Sequence, residues 1–155
     1  MHVLVVGGGI IGLMSALELS RAGCQVTVLD QQQHGLAASC AACAILSPLY
    51  PWRYTPAVNR LAHLAPMLYN TLALELLEST GIDIEVNRCG MLMLDVDDHR
   101  DALAWSIQEG NQHAEMLGHS AIQRLNPRLN RDFQQGLWHK DVANVRNPHV
   151  IKALI

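Results

Sequence analysis

At 155 residues, half of them hydrophobic and only 16% charged, the chain has apolar material for one sizeable core and lacks the profile of a disordered segment. A net charge of -3 without any block of lysine or arginine argues against a nucleic-acid surface. The longest uncharged apolar stretch, Val3 to Leu17, is too short and too glycine-rich for a membrane span, and no basic residue precedes it as a signal peptide would require.

His2 to Gly7 (HVLVVG) is a short β-branched run, the pattern of a strand buried on both faces. Gly7, Gly8 and Gly9 interrupt it, and Ile10 to Ala22 then reads as a helix with Gly23 as its stop. Gln25 to Asp30 (QVTVLD) is a second buried strand, so the first thirty residues predict a parallel βαβ unit. Periodicity is lost from Gln31 to Pro56, where the small-residue run LAASCAACAIL precedes SPLYPWRYTP. Apolar residues three or four apart predict a helix over Pro56 to Thr80, kinked or divided at Pro66. A strand is expected at Gly90 to Asp95, then a helix capped by Asp97 or Asp98 and running to about Leu117, with Gly118 as its stop. Ser120 is expected to cap a short helix ending before Pro127. Gly136 to Lys140 reads as a strand, and Asn147-Pro148 as an N-cap followed by proline at the first helical position. A half-built sheet and a last helix cut short at Ile155 predict the N-terminal part of a longer protein.

Gly7, Gly9 and Gly12 fit G-x-G-x-x-G between a strand and a helix. Gly7 permits the tight turn, Gly9 lets backbone approach a pyrophosphate, and Gly12 lets the helix pack closely on the strand. The N–H groups that open the helix, those of Ile10 and Ile11 among them, are expected to face the phosphates. Asp30 ends the second strand, where a carboxylate accepts hydrogen bonds from an adenosine ribose and repels the extra phosphate of NADP. Ala37 to Ala44 has two readings: backbone approaching a flat ring and its ribityl chain, or a short buried helix packed on the sheet. Cys40 and Cys43 form a CxxC, but no base is evident nearby, so they read as inert small core residues before a redox pair. His113-Ala114-Glu115 lacks the order and proline of a zinc deaminase signature, and no histidine spacing predicts a metal site. Arg53 and Tyr54 could meet an anionic substrate, though a surface salt bridge or a stem packed on Trp52 is the simpler reading. Four cysteines give no disulfide framework, so a reducing cytoplasm is the expected compartment.

Taken together, VLVVGGGIIGLMSALELSRAGCQVTVLD and ASCAACAILSPLYPWRY resemble the N-terminus of the glycine oxidase and D-amino-acid oxidase family of flavoenzymes, especially bacterial glycine oxidases of the thiamine-thiazole pathway. The likeness continues through TGIDIEVNRCGMLML and RLNPRL to VRNPHVIKAL. It implies an α/β fold: a Rossmann-like FAD-binding βαβ unit plus part of an α+β substrate-binding lobe, incomplete at the C-terminus. Residues 1–54 and 141–155 would belong to the FAD-binding domain and residues 55–140 to the substrate lobe. Gly7, Gly9, Gly12, Ile10 and Ile11 would face the pyrophosphate of FAD, and Asp30 with Gln31 would meet the adenosine ribose. Ala38, Ser39, Cys43, Ala44 and Ile45 would approach the remainder of FAD, towards the flavin. This sequence departs from the family there, with Ala42, Cys43 and Ala44 in a stretch that is usually glycine-rich. The implied activity is oxidation of glycine or another small amino acid to an imine and then an oxo acid, with hydrogen peroxide as co-product. The family's substrate-anchoring tyrosine and arginine come from its later half, so no residue here is named as catalytic. A full-length parent would be free to form a homo-oligomer. The alternative reading is a non-catalytic truncated fragment that binds a dinucleotide weakly or not at all.

Overall fold

The computed structural model describes residues 1–32, 37–46, 48–109, 114–129 and 133–155. Two compact units emerge: Met1–Ala44 with Met67–Asn87 and Asn144–Ile155, and Ile45–Pro66 with Arg88–Ala143.

The first unit is built on the expected βαβ. Strand β1 (His2–Val6) pairs in parallel with β2 (Gln25–Leu29), and helix α1 (Ile10–Arg21) connects them. Parallel strands cannot be joined by a tight turn, so a helix must make the crossover. Strand residues alternate in exposure, with Val3, Val5, Val26 and Val28 half-buried and the intervening residues exposed. The expectation of burial on both faces is therefore corrected: among the described residues only one face of this sheet is covered. Helix α2 (Ala38–Ala41) is a single turn, and the first unit also holds the C-terminal part of α3 (Pro56–Thr80). Pro66 lies inside α3, which runs as one helix and is not divided there. Leu72 and Leu76 of α3 are buried, as are Leu13 of α1 and Ile84. Asn87 and Asn144 exchange backbone hydrogen bonds of 2.8 and 2.9 Å, and the Arg146 N–H donates to Ile84 O at 2.9 Å. These bonds tie the returning chain to the segment that follows α3.

The second unit centres on an antiparallel sheet of order β3-β5-β4: β3 (Met91–Leu94), β5 (Gln135–His139) and β4 (Ala114–Gly118). Helix α4 (His99–Gln108) stops well before Leu117, because Ala114 to Gly118 pair with β5 as a strand. The apolar Ala114, Met116 and Leu117 fit a helix and a strand equally well, and cross-strand pairing decides between them. Gly118 accordingly ends β4 and caps α5 (His119–Leu125), which begins one residue before Ser120. Met93, Ala102, Ala114 and Leu137 form a buried core, with Tyr50, Trp52, Met91, Val96, Leu103 and Met116 packed against it. Ser106 is buried beside this core, and its Oγ accepts a hydrogen bond from the Ala114 N–H at 3.1 Å.

In helix α6 (Asn147–Leu154), in the first unit, Arg146 stands at the N-cap position without a side-chain capping bond, and Asn147 is the first helical residue and not the cap. The Asn147 side chain instead donates its Nδ2–H to Ala42 O at 2.8 Å. No helix among the described residues is long and apolar enough to cross a membrane.

Candidate functional site

The glycine-rich loop between β1 and α1 makes a sharp turn at Gly7, whose φ of 110° lies in a region that side chains rarely adopt. Gly7 N–H donates to Leu29 O at 2.7 Å, which ties the turn to the end of β2. A Cβ at Gly12 would collide with the Gly7 carbonyl oxygen and come within 3.5 Å of Val5 Cγ1, so only glycine lets α1 lie this close to β1. Helix α1 starts from an extended Gly9 and carries no acidic residue in its first turn. Its leading N–H groups have no partner within the helix, as at the start of any helix, and the dipole adds positive potential there.

Two side chains reach into this corner. Asp30 Oδ2 accepts a hydrogen bond from the Gly8 N–H at 2.6 Å, and its Oδ1 accepts from the Gln32 N–H at 2.9 Å. The carboxylate is therefore aimed at the glycine loop. Ser39, on α2, accepts a hydrogen bond from the Ile10 N–H through Oγ at 2.9 Å. A Cβ on Gly9 would lie 3.0 Å from the same oxygen, so the absence of a side chain there leaves space bounded by Ser39. Ile11, one residue further into the helix, is exposed. Glycines, helix N-terminus and acidic strand end thus form a cradle that fits the adenosine diphosphate part of a dinucleotide.

Of the remaining sequence-predicted residues, Gln31 is exposed in the bend after β2, and Ala38 opens α2. Cys40 is half-buried and Cys43 exposed, so these free thiols are not the core residues that their small neighbours suggested. Their neighbours Ala37, Ala38, Ala41 and Ala42 are exposed as well, so the segment runs along the surface and does not bury the thiols. Ala44 has φ of 55°, a left-handed conformation, and its carbonyl accepts from the Val145 N–H at 3.1 Å. Ile45 falls in the second unit. The first unit therefore brings Gly7 to Gly12, Asp30 and Ser39 together by hydrogen bonds and close contact, whereas no such bond links Gln31, Cys43 or Ala44 to the loop. His113 of the deaminase-like triplet lies outside the described residues, and no metal-holding group of three His, Cys, Asp or Glu occurs among the described ones.

The second unit holds a polar cluster that sequence reasoning only half anticipated. Arg53 donates from Nε and Nη2 to the two Asp98 oxygens at 2.6 and 2.8 Å, and Trp52 Nε1–H donates to Oδ2 at 2.8 Å. The Arg53 guanidinium lies 4.1 Å from the centre of the Tyr50 ring. Asp98 does sit at the N-cap of α4, but its side chain makes no capping bond and serves this cluster instead. The Arg53 hydrogen bonds hold the Asp98 carboxyl well below the ordinary carboxylate range, with the Trp52 bond acting in the same direction. Arg53 is thus engaged in an ion pair.

The sequence pattern of the family described as DAO, FAD dependent oxidoreductase, matches residues 2–155. The chain belongs to that family. Glycine oxidases from Pseudomonas putida and Pseudomonas aeruginosa are 44% and 43% identical over 153 residues, covering 99% of this chain. The chain spans only 42% of the length of each of these curated relatives. Among solved structures, glycine oxidase from Geobacillus kaustophilus superposes with a TM-score of 0.87 at 26% identity, over 97% of this chain and 42% of that one. FAD is therefore the dinucleotide to which the cradle's chemistry refers. The agreement extends past the βαβ unit, since the superposition takes in the antiparallel sheet as well.

Proposed function

We propose that this chain is the N-terminal part of a glycine-oxidase-like flavoenzyme, with its first unit holding the adenosine diphosphate end of FAD. The observation that carries the reading is the Asp30 carboxylate, fixed 2.6 Å from the Gly8 N–H at the head of α1. Gly7, Gly9 and Gly12, with the N–H groups of Ile10 and Ile11, receive the pyrophosphate. The Asp30 carboxylate, which accepts from the Gly8 and Gln32 N–H groups, meets the adenosine ribose. Gln31 assists at the ribose. The Ser39 hydroxyl satisfies Ile10 and yields that donor to a phosphate oxygen when the ligand arrives. Ala38, Cys43, Ala44 and Ile45 border the path towards the flavin.

Bound FAD would supply the two-electron acceptor for converting glycine or a similar small amino acid to its imine, with oxygen finally reduced to hydrogen peroxide. Residues 1–54 and 141–155 serve the cofactor and residues 55–140 the substrate lobe, while sequence outside this chain supplies the anchor for the substrate carboxylate. The parent acts in thiamine-thiazole synthesis, a reading that the resemblance of its motifs supports. Low cationic charge and unpaired cysteines support a cytoplasmic protein without nucleic-acid partners. A homo-oligomeric parent is compatible with this reading.

Titration of the purified chain with FAD, followed by flavin fluorescence and the visible flavin absorption band, tests the proposal. Saturable binding is expected, weakened about tenfold or more by Asp30→Ala, the loss of roughly one charge-assisted hydrogen bond. Equal binding by wild type and variant, or none by either, overturns it.

A further inference from the structure

We propose that Asn147 is a positioning residue for the cofactor. Through Ala42 it fixes the Ala42–Cys43 peptide, so that the Cys43 N–H serves as a donor to the flavin half of FAD. The inference rests on the cofactor reading and deepens it.

Asparagine at a helix start ordinarily caps, yet α6 makes no side-chain capping bond. Its first turn asks nothing of the Asn147 side chain. The His149 and Val150 N–H groups donate to Arg146 O at 2.9 and 3.1 Å, and Pro148 has no N–H. The Asn147 amide is turned to another segment instead, donating from Nδ2 to Ala42 O at 2.8 Å across 105 residues of sequence. Buried Val150 and Ile151 anchor the helix that carries it. Ala42 itself is exposed, so water can satisfy its carbonyl and folding gains little from this bond. The bond's effect is on direction.

No peptide bond among the described residues is cis, and in a trans peptide the carbonyl and the following N–H point opposite ways. With Ala42 O held towards Asn147, the Cys43 N–H points away from α6. None of the described residues accepts a hydrogen bond from it, and Cys43 is exposed. The chain is fixed on both sides of that donor. Before it, Ser39 Oγ accepts from the Ile10 N–H at 2.9 Å; after it, Ala44 O accepts from the Val145 N–H at 3.1 Å. Ala42, the extended residue by which the chain leaves α2, has no backbone partner for its carbonyl among the described residues. Losing the Asn147 amide therefore frees one peptide between two fixed points. A flavin ring offers nitrogens and carbonyl oxygens that accept hydrogen bonds, which an oriented N–H can meet. ADP lacks that ring and meets only the cradle.

Calorimetric titration of the purified chain with FAD, and separately with ADP, tests the proposal. Wild type is expected to bind FAD more tightly than ADP. Asn147→Ala should weaken FAD binding about fivefold, the worth of one hydrogen bond, and leave ADP affinity unchanged. Alanine suits a helix better than asparagine, so the urea unfolding midpoint should not fall below that of wild type. A merely structural contact would move that midpoint and both ligands together. Asn147→Asp keeps the shape without the donor, should weaken FAD at least as much, and serves should the alanine variant misfold. FAD affinity unchanged in both variants overturns the proposal, and so does equal weakening of FAD and ADP. A wild type that binds FAD no better than ADP removes this inference and leaves the adenosine diphosphate cradle standing. A wild type that binds neither removes the cradle reading and this one with it.

Discussion

The Asp30 carboxylate and the Gly8 backbone N–H, 22 residues apart in sequence, meet at 2.6 Å and so tie the end of β2 to the turn that opens α1. The same carboxylate accepts from the Gln32 N–H, which makes it a hub for two backbone donors. Asp30→Ala removes both acceptors at once. Leaving a partly buried donor unsatisfied costs about 1–3 kcal/mol, with charge-assisted bonds at the upper end. The variant should therefore unfold at lower urea concentration without FAD present, by an amount in that range. Asp30→Asn keeps one oxygen acceptor and should fall between the two. An unchanged midpoint for Asp30→Ala would show that the contact is not formed in solution.

Ser39 and Ile10 give a second, separable prediction. The hydroxyl caps the exposed N-terminus of α1 from another segment, and loss of such a cap costs about 1 kcal/mol. Ser39→Ala should lower the melting temperature of the FAD-free chain accordingly. Ligand that binds only the native state stabilises it, and a phosphate oxygen would replace the missing acceptor at Ile10. The gap between wild type and Ser39→Ala should then narrow in excess FAD, as read by differential scanning fluorimetry. A gap that persists unchanged would mean that the pyrophosphate does not take over the Ile10 donor.

Ala44 holds a backbone conformation suited to glycine, with φ of 55°. A left-handed residue bearing a Cβ costs roughly 1–2 kcal/mol, whereas glycine returns about 0.5–1 kcal/mol through the freedom of its unfolded chain. Ala44→Gly is expected to stabilise the protein by up to about 1 kcal/mol in urea unfolding. A destabilised variant would place the strain elsewhere in the segment.

The βαβ unit was legible because three independent signals coincide there: β-branched strands, glycines at the turn and an acid at the end of β2. Each constrains backbone locally, so sequence and structure agree to within a residue or two at β1, α1 and β2. Ala114 to Gly118 shows the opposite case. Its apolar residues carry no period of their own, and pairing with Gln135–His139, some twenty residues away, selects a strand. The side chain of Asp98 was misread for a related reason. A helix-start acid is expected to cap, but the guanidinium of Arg53 and the indole of Trp52, 45 and 46 residues earlier, compete for it and win. The Arg53 side chain at least followed its simpler reading as an ion pair. Exposure of Leu4, Val6 and Leu29 was not legible at all, because a strand pattern reports what a sheet needs and not whether the cover is present.

The Asp98 cluster yields the pH prediction. Because hydrogen bonds from Arg53, and then from Trp52, depress the folded-state pKa of Asp98, the native protein binds its proton less readily than the unfolded chain. The unfolded chain titrates at about the ordinary aspartate value near 3.9. The contribution is therefore complete above that pH and is lost as pH falls through and below it, towards the depressed native value. Wild type should lose stability on acidification more steeply than Asp98→Asn below about pH 4, where the unfolded carboxylate takes up its proton. The pair is partly exposed and screened by solvent, so added salt should reduce the difference between the two proteins. Urea unfolding midpoints from pH 7 down to pH 3, at low and high salt, measure both effects. Parallel profiles for the two proteins would mean that Arg53 and Trp52 do not hold this carboxylate in solution.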